Sequence, residues 1–148
     1  MVTAIQRFEL LFRRAAHLDV DKSDLKRLED FLDQRLLDLL TRAQVVAHRA
    51  GRDFITLDDL PITLGLENCM KEFERIDAEV EVDEALIHLE KLPPLDLDYA
   101  EGLREELVPV VGGLVVALAK VFRILDHDVK NPMSHHWEDA ERVFETLL

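Results

Sequence analysis

Residues 47–60 read Ala47-His48-Arg49-Ala50-Gly51-Arg52-Asp53-Phe54-Ile55-Thr56-Leu57-Asp58-Asp59-Leu60. The backbone is expected to change state three times within this stretch. Gly51 follows the last residue of a long apolar periodicity, at the place past a helix end where a residue without Cβ takes the left-handed conformation cheaply. Arg52 to Ile55 is a short extended piece. Thr56 then reads as an N-cap, with Asp58 and Asp59 in the first turn, at the positive end of the helix dipole. Pro61 limits the short helix that follows, because it cannot donate an interior hydrogen bond.

Upstream, Leu25, Leu28, Leu32, Leu36, Leu39, Ala43 and Val46 form one stripe at helical spacing. It predicts a helix over about Lys22–Arg49, capped by Asp21 or Ser23. Such a helix is about 42 Å long and must be central to a domain of this size. Ile5, Phe8, Leu11, Phe12 and Ala15 predict an earlier helix over residues 4–17.

Downstream, the plan repeats more loosely. A short helix is expected over about Leu66–Ile76. An acidic insert at about 77–96 follows, with alternating Val80 and Val82, a small helix near Asp83–Lys91, and Pro93-Pro94 as a stop. A second long helix is expected over about Leu97–Asp126, then a loop through Pro132. Ser134 or His135 caps a last helix striped by Trp137, Ala140, Val143, Phe144 and Leu147. The order is short–long–short, twice, in 148 residues.

Composition narrows the classes. The single cysteine, Cys69, allows no intrachain disulfide and no Cys-rich zinc module, and fits a reducing, cytoplasmic setting. The five glycines form neither a GxGxxG nor a Walker loop. The longest apolar run, Leu107–Ala119, is shorter than the roughly 20 residues of a membrane span, so it reads as a buried helix. Net charge is −13. Residues 1–60 hold ten basic and eleven acidic side chains, while residues 61–148 hold eight basic and twenty acidic. Nucleic-acid binders present a basic face, which only the first part of this chain could supply.

The opening stretch resembles the second loop and third helix of a histone fold. Gly51, Arg52, Ile55, Asp58, Asp59 and Leu60 match that family in residue type and spacing. The resemblance covers about residues 4–64, and the later residues match it by element order. Two such units in one chain resemble the bacterial tandem histone-fold proteins, a small family of unknown function. The resemblance implies an all-α, single-chain pseudodimer. Residues 1–64 and 65–148 would pack as an intramolecular handshake with their long helices crossing. Gly112 and Gly113, which cost about 1–2 kcal/mol of helix propensity, would mark a helix crossing; the competing reading is a simple kink with Pro109. The resemblance also implies that Arg52 and Asp59 form a structural pair inside the fold.

Histone folds contact phosphates through their loops and helix starts. The residues available for this here are Arg13, Arg14, Lys22, Lys26, Arg27, Arg49 and Arg52. Asp19, Asp21 and Asp53 stand where further cations would help. Weak, sequence-independent DNA binding is therefore the alternative to an architectural or protein-interaction role with a protein partner.

The most enzyme-like cluster is Asp126-His127-Asp128 with His135, His136 and Glu138. His and carboxylates this close could hold a metal, and the adjacent His-Asp resembles that of helical metal-dependent phosphohydrolases. A hydrolase built on the His127/His135 loop would need His48, His88 or Asp139 as further ligands. The competing reading is a polar, solvated loop. Glu-x-x-His is absent from the sequence, which removes a ferritin-like di-iron site. Glu84 and His88, one helical turn apart, read as a surface pair. The expectation is a non-enzymatic, cytoplasmic protein with no cofactor, no metal and no membrane partner.

Overall fold

The apolar stripe upstream of Gly51 folds as one helix whose ends are set by local chemistry. The computed structural model describes residues 4–80 and 92–148. Its elements are α1 (Ala4–Ala16), α2 (Lys22–Arg49), β1 (Phe54–Ile55), α3 (Leu64–Val80), β2 (Asp98–Tyr99), α4 (Leu103–Leu125) and α5 (Ser134–Leu147). Among the described residues the fold is all-α apart from two two-residue strands.

Asp21 is the cap of α2. Its Oδ1 accepts from the Ser23 N–H at 2.9 Å, and Asp24 Oδ2 accepts from the Asp21 N–H at 3.1 Å. This is a capping box. At the other end Gly51 takes φ +75°. The Arg52 N–H donates to Ala47 O and the Gly51 N–H to His48 O, both at 3.0 Å. Those two bonds are a Schellman motif, which satisfies carbonyls the helix leaves open.

Four expectations are corrected. Thr56 opens a single 3₁₀ turn, Leu57–Asp59, rather than a helix, because Pro61 holds Leu60 extended at ψ 136°. The next helix is longer than the apolar spacing indicated. α3 starts at Leu64, where Thr63 Oγ1 accepts from the Leu66 N–H at 3.1 Å, and it runs to Val80, which the alternation had placed in an extended piece. The second long helix begins at Leu103, not Leu97, because Asp98–Tyr99 pairs as a strand and Gly102 turns the chain at φ +82°. Neither Ser134 nor His135 caps α5. Met133 stands at the N-cap and its N–H donates to His136 Nδ1 at 2.8 Å. The expected helix near Asp83–Lys91, with Glu84 and His88, lies outside the described residues.

α4 is the core helix. By length and composition it could cross a membrane, yet here it lies inside the fold. Leu103, Leu107, Val110, Leu114, Leu118 and Phe122 are fully buried, as expected of a helix whose middle, residues 107–119, is apolar on all sides. α1, α2, α3 and α5 all touch it. Phe122 meets Trp137 edge to face at 5.0 Å between centroids.

The helix against the two glycines is α3. A Cβ on Gly112 would lie 2.4 Å from the Phe73 ring, and one on Gly113 would lie 2.5 Å from Met70 Cγ and 3.0 Å from the Met70 nitrogen. The close approach thus exists at these positions, but α3 makes it rather than the first long helix.

Candidate functional site

Two seams tie the chain's loops together. At one seam β1 and β2 run parallel, with Phe54 beside Asp98 and Ile55 beside Tyr99. The Asp98 N–H donates to Asp53 O at 3.2 Å and the Ala100 N–H to Ile55 O at 2.8 Å. Gln44 Oε1 on α2 accepts from the Leu97 N–H at 2.9 Å. Ile55 is fully buried, while Phe54 is exposed beside Arg52, whose guanidinium carbon stands 5.7 Å from the ring centroid.

At the other seam the loop after α1 meets the loop after α4. The Asp19 N–H donates to Lys130 O at 2.7 Å. Arg123 on α4 donates to Ala16 O at 2.9 Å, to His17 O at 3.2 Å and to His127 O at 2.9 Å. Asn131 Nδ2 donates to Asp21 Oδ2, and Arg27 Nη2 to Ser134 Oγ. Trp137 Nε1 donates to Asp24 Oδ1 at 3.2 Å. Burial pushes the Asp24 carboxyl up, whereas hydrogen bonds from Ser23 and Asn131 pull Asp21 down. Arg123, Lys130 and Asn131 were not singled out from sequence, and Trp137 was read only as part of an apolar stripe. Apart from His127, their partners lie more than 100 residues away, so no local pattern marks these contacts.

The seven candidate phosphate ligands do not converge. Arg13, Arg14, Lys22, Lys26 and Arg27 stand near the loop 17–21. Arg49 and Arg52 stand at the far end of α2, about 40 Å away at helical rise. Most already have partners. Arg13 Nη2 is 3.3 Å from Asp19, Arg14 meets Glu79, and Lys26 Nζ is 2.8 Å from Asp30. Lys22 and Arg49 are exposed.

Arg52 and Asp59 are joined by two hydrogen bonds, Nη1 to Oδ2 at 2.7 Å and Nη2 to Oδ1 at 2.6 Å. Asp59 Oδ2 also accepts from the Thr56 N–H at 2.8 Å. Arg52 holds the Asp59 carboxyl far below the usual carboxylate range, and Asp59 in turn raises the guanidinium.

The His/Asp cluster is tied up locally. Since His136 Nδ1 accepts from the Met133 N–H, the ring proton sits on Nε2 and is donated to Asp126 Oδ2 at 3.0 Å. That bond is the main reason the Asp126 carboxyl is lowered. Both His136 nitrogens are therefore engaged within the protein. His127 and His135 are exposed, and His48 lies in the last turn of α2, at the opposite end. Among the described residues no three His, Cys, Asp or Glu side chains converge to hold a metal.

Known proteins resemble the chain along nearly its whole length. The family described as Domain of unknown function (DUF1931) matches residues 8–145. An uncharacterized protein of Aquifex aeolicus (strain VF5) is 32% identical over 112 residues, 76% of this chain and 66% of that protein. A second from the same organism is 29% identical over 135 residues, 82% of this chain and 78% of that protein. The chain thus spans just under two thirds of the first relative. A crystal structure from Thermus thermophilus superposes with a TM-score of 0.86 at 50% identity, covering 100% of both chains. The crystal structure of protein AQ328 from Aquifex aeolicus gives 0.84 at 26%, covering 99% of this chain and 97% of that one.

Proposed function

The chain belongs to the DUF1931 family, and we propose that it is a non-enzymatic, single-chain pair of histone folds with an architectural or protein-interaction role. Residues 1–64 and 65–148 form the two halves, packed in an intramolecular handshake. The carrying observation is the reciprocity of the two seams. The loop before α2 bonds to the loop after α4, Asp19 to Lys130. The loop after α2 pairs with the segment before α4, residues 54–55 with 98–99. Exchanging the two long helices exchanges the two seams, which is the relationship a pair of like units related by a two-fold would have.

The chemistry of the surface favours protein over duplex DNA. The candidate cations are split between two ends and largely paired with carboxylates, so few counterions would be released from a polyanion. A net charge of −13 opposes long-range approach. The lone cysteine fits a reducing, cytoplasmic setting.

A gel-shift titration with duplex DNA at two salt concentrations separates this reading from weak, sequence-independent DNA binding. The expected dissociation constant is weaker than about 10⁻⁶ M at about 150 mM salt. Asp53→Lys should tighten whatever binding exists and steepen its salt slope. Submicromolar binding by the natural sequence would put nucleic acid first.

A further inference from the structure

Beside the Phe31–Phe144 ring contact, whose centroids are 4.9 Å apart, residues of α2 and the end of α5 line a groove of about 830 Å³. Half-buried Leu37 and Val45 give it an apolar side, over the fully buried Phe31. Asp30, Asp38, Glu141 and Glu145 line it with carboxylates, against Arg35 and Arg42. Arg35 is the anomaly. It is 5% exposed, and among the described residues its buried Nε and Nη1 meet no hydrogen-bond partner. Among the described residues only Asp38 offers it an anion, with Oδ2 at a long 3.4 Å from Nη2. A guanidinium is buried at a net loss unless its donors are met. Replacing it by an apolar residue of similar volume would be the simpler way to fill a core.

We propose that this groove docks the basic C-terminal turn of an amphipathic helix from another protein. This names a partner chemistry for the protein-interaction role above and rests on that reading. A helix end leaves its last four carbonyls unpaired and carries about half a negative charge. Those carbonyls are the acceptors Arg35 lacks, and the side chain re-orients onto them as the helix enters. Lysines or arginines of the same turn, which helices favour there, pair with Glu141, Glu145 and Asp38 on the rim. The helix's apolar stripe covers Leu37 and Val45, the usual manner of helix-in-groove recognition. A ligand with a full carboxylate is disfavoured, since four carboxylates line the same groove. A second copy of the chain is disfavoured by its net charge of −13.

The test uses the full chain and two fluorescent synthetic peptides of about 18 residues, made of leucine and lysine at amphipathic helical spacing. One carries its lysines in the last two turns, the other in the first two. Anisotropy should give at least about ten-fold tighter binding of the first peptide. Arg35→Met should weaken that binding about ten-fold while leaving thermal stability unchanged or higher. Arg35→Lys, which keeps the charge and loses the fork of donors, should weaken it likewise. Glu141→Lys with Glu145→Lys should abolish binding, whereas Glu105→Lys with Glu106→Lys, at the exposed start of α4, should not. Equal affinity for the two peptides, indifference to Arg35→Met, or equal loss from both charge reversals overturns the proposal. So does sedimentation showing a dimer of the free chain that Arg35→Met dissolves. None of these outcomes bears on the handshake, which is tested separately below.

Discussion

The Phe73 ring on α3 lies flat against Gly112 on α4, 2.4 Å from where a Cβ would be. No side chain fits that site without moving either the ring or the helix. Gly112→Ala is therefore expected to destabilise the protein by about 1–3 kcal/mol through overpacking, although alanine is the better helix former. Phe73→Leu should relieve part of that loss, so a double-mutant cycle should show favourable coupling. At Gly113 the nearest atoms include Met70 backbone at 3.0 Å and 3.1 Å, so Gly113→Leu should be worse than Gly113→Ala. A denaturant midpoint raised by Gly112→Ala would contradict the close packing.

Asp59 is 4% exposed and faces an arginine that is half-buried. Asp59→Ala removes the acceptor of Arg52 and of the Thr56 N–H together, and should cost about 2–4 kcal/mol. The pH dependence has a definite sign. Because Arg52 lowers the folded-state pKa of Asp59, the pair's contribution is present above the unfolded value, about 4, and is lost as pH falls through the folded one. Urea midpoints between neutral and acid pH should fall less steeply for Asp59→Asn than for the natural protein.

Asp24 behaves in the opposite sense. Burial raises its folded-state pKa, so its protonated form is favoured in the fold. That contribution is fully present below the unfolded pKa and is lost as pH rises through the folded one. Asp24→Ala should cost about 1–3 kcal/mol by stripping the Trp137 Nε1–H and the Asp21 N–H of acceptors. Asp24→Asn keeps one acceptor and cannot ionise, so its deficit relative to the natural protein should shrink as pH rises. Trp137 is the chain's single tryptophan, and its fluorescence reports both changes.

His127 in the loop after α4 and His135 and His136 in the first turn of α5 should separate by role. His136→Ala leaves the Met133 N–H without its acceptor and should cost about 1–2 kcal/mol. His127→Ala and His135→Ala, at exposed positions, should stay within about 0.5 kcal/mol. Zinc titration should leave the thermal midpoint unmoved. A rise with zinc that needs His127 or His135 would revive the metal reading.

What could be read in advance follows the range of the interactions involved. Gly51, Thr56 and Asp59 act within seven residues of their partners, and their spacing in the sequence carries the backbone change. The stripe of α2 was readable because a helix repeats its buried face every turn. The start of α4 was not, since Asp98 and Tyr99 leave the helical pattern only by pairing with Phe54 and Ile55, far away in the chain. Gly102 was the local signal, and the surrounding apolar periodicity masked it. Gly112 and Gly113 announced a close approach but not its partner, because glycine records that a neighbour is near without recording which one. The loop seam of Arg123, Lys130 and Asn131 is made of ordinary polar residues. Their roles exist only once both ends of the chain are folded together.

The mutual dependence of the two halves is the central claim, and the isolated fragment 1–64 tests it most directly. In the full chain α1 packs on α4 and α3, both of which this fragment lacks apart from the first residue of α3. Without them Phe8, Leu11, Phe12 and the broad apolar stripe of α2 have too little to cover them. Sedimentation equilibrium with circular dichroism across a range of concentrations should find the fragment either unfolded or associated as a dimer whose helicity grows with concentration. A well-folded, cooperatively melting monomer would contradict the handshake.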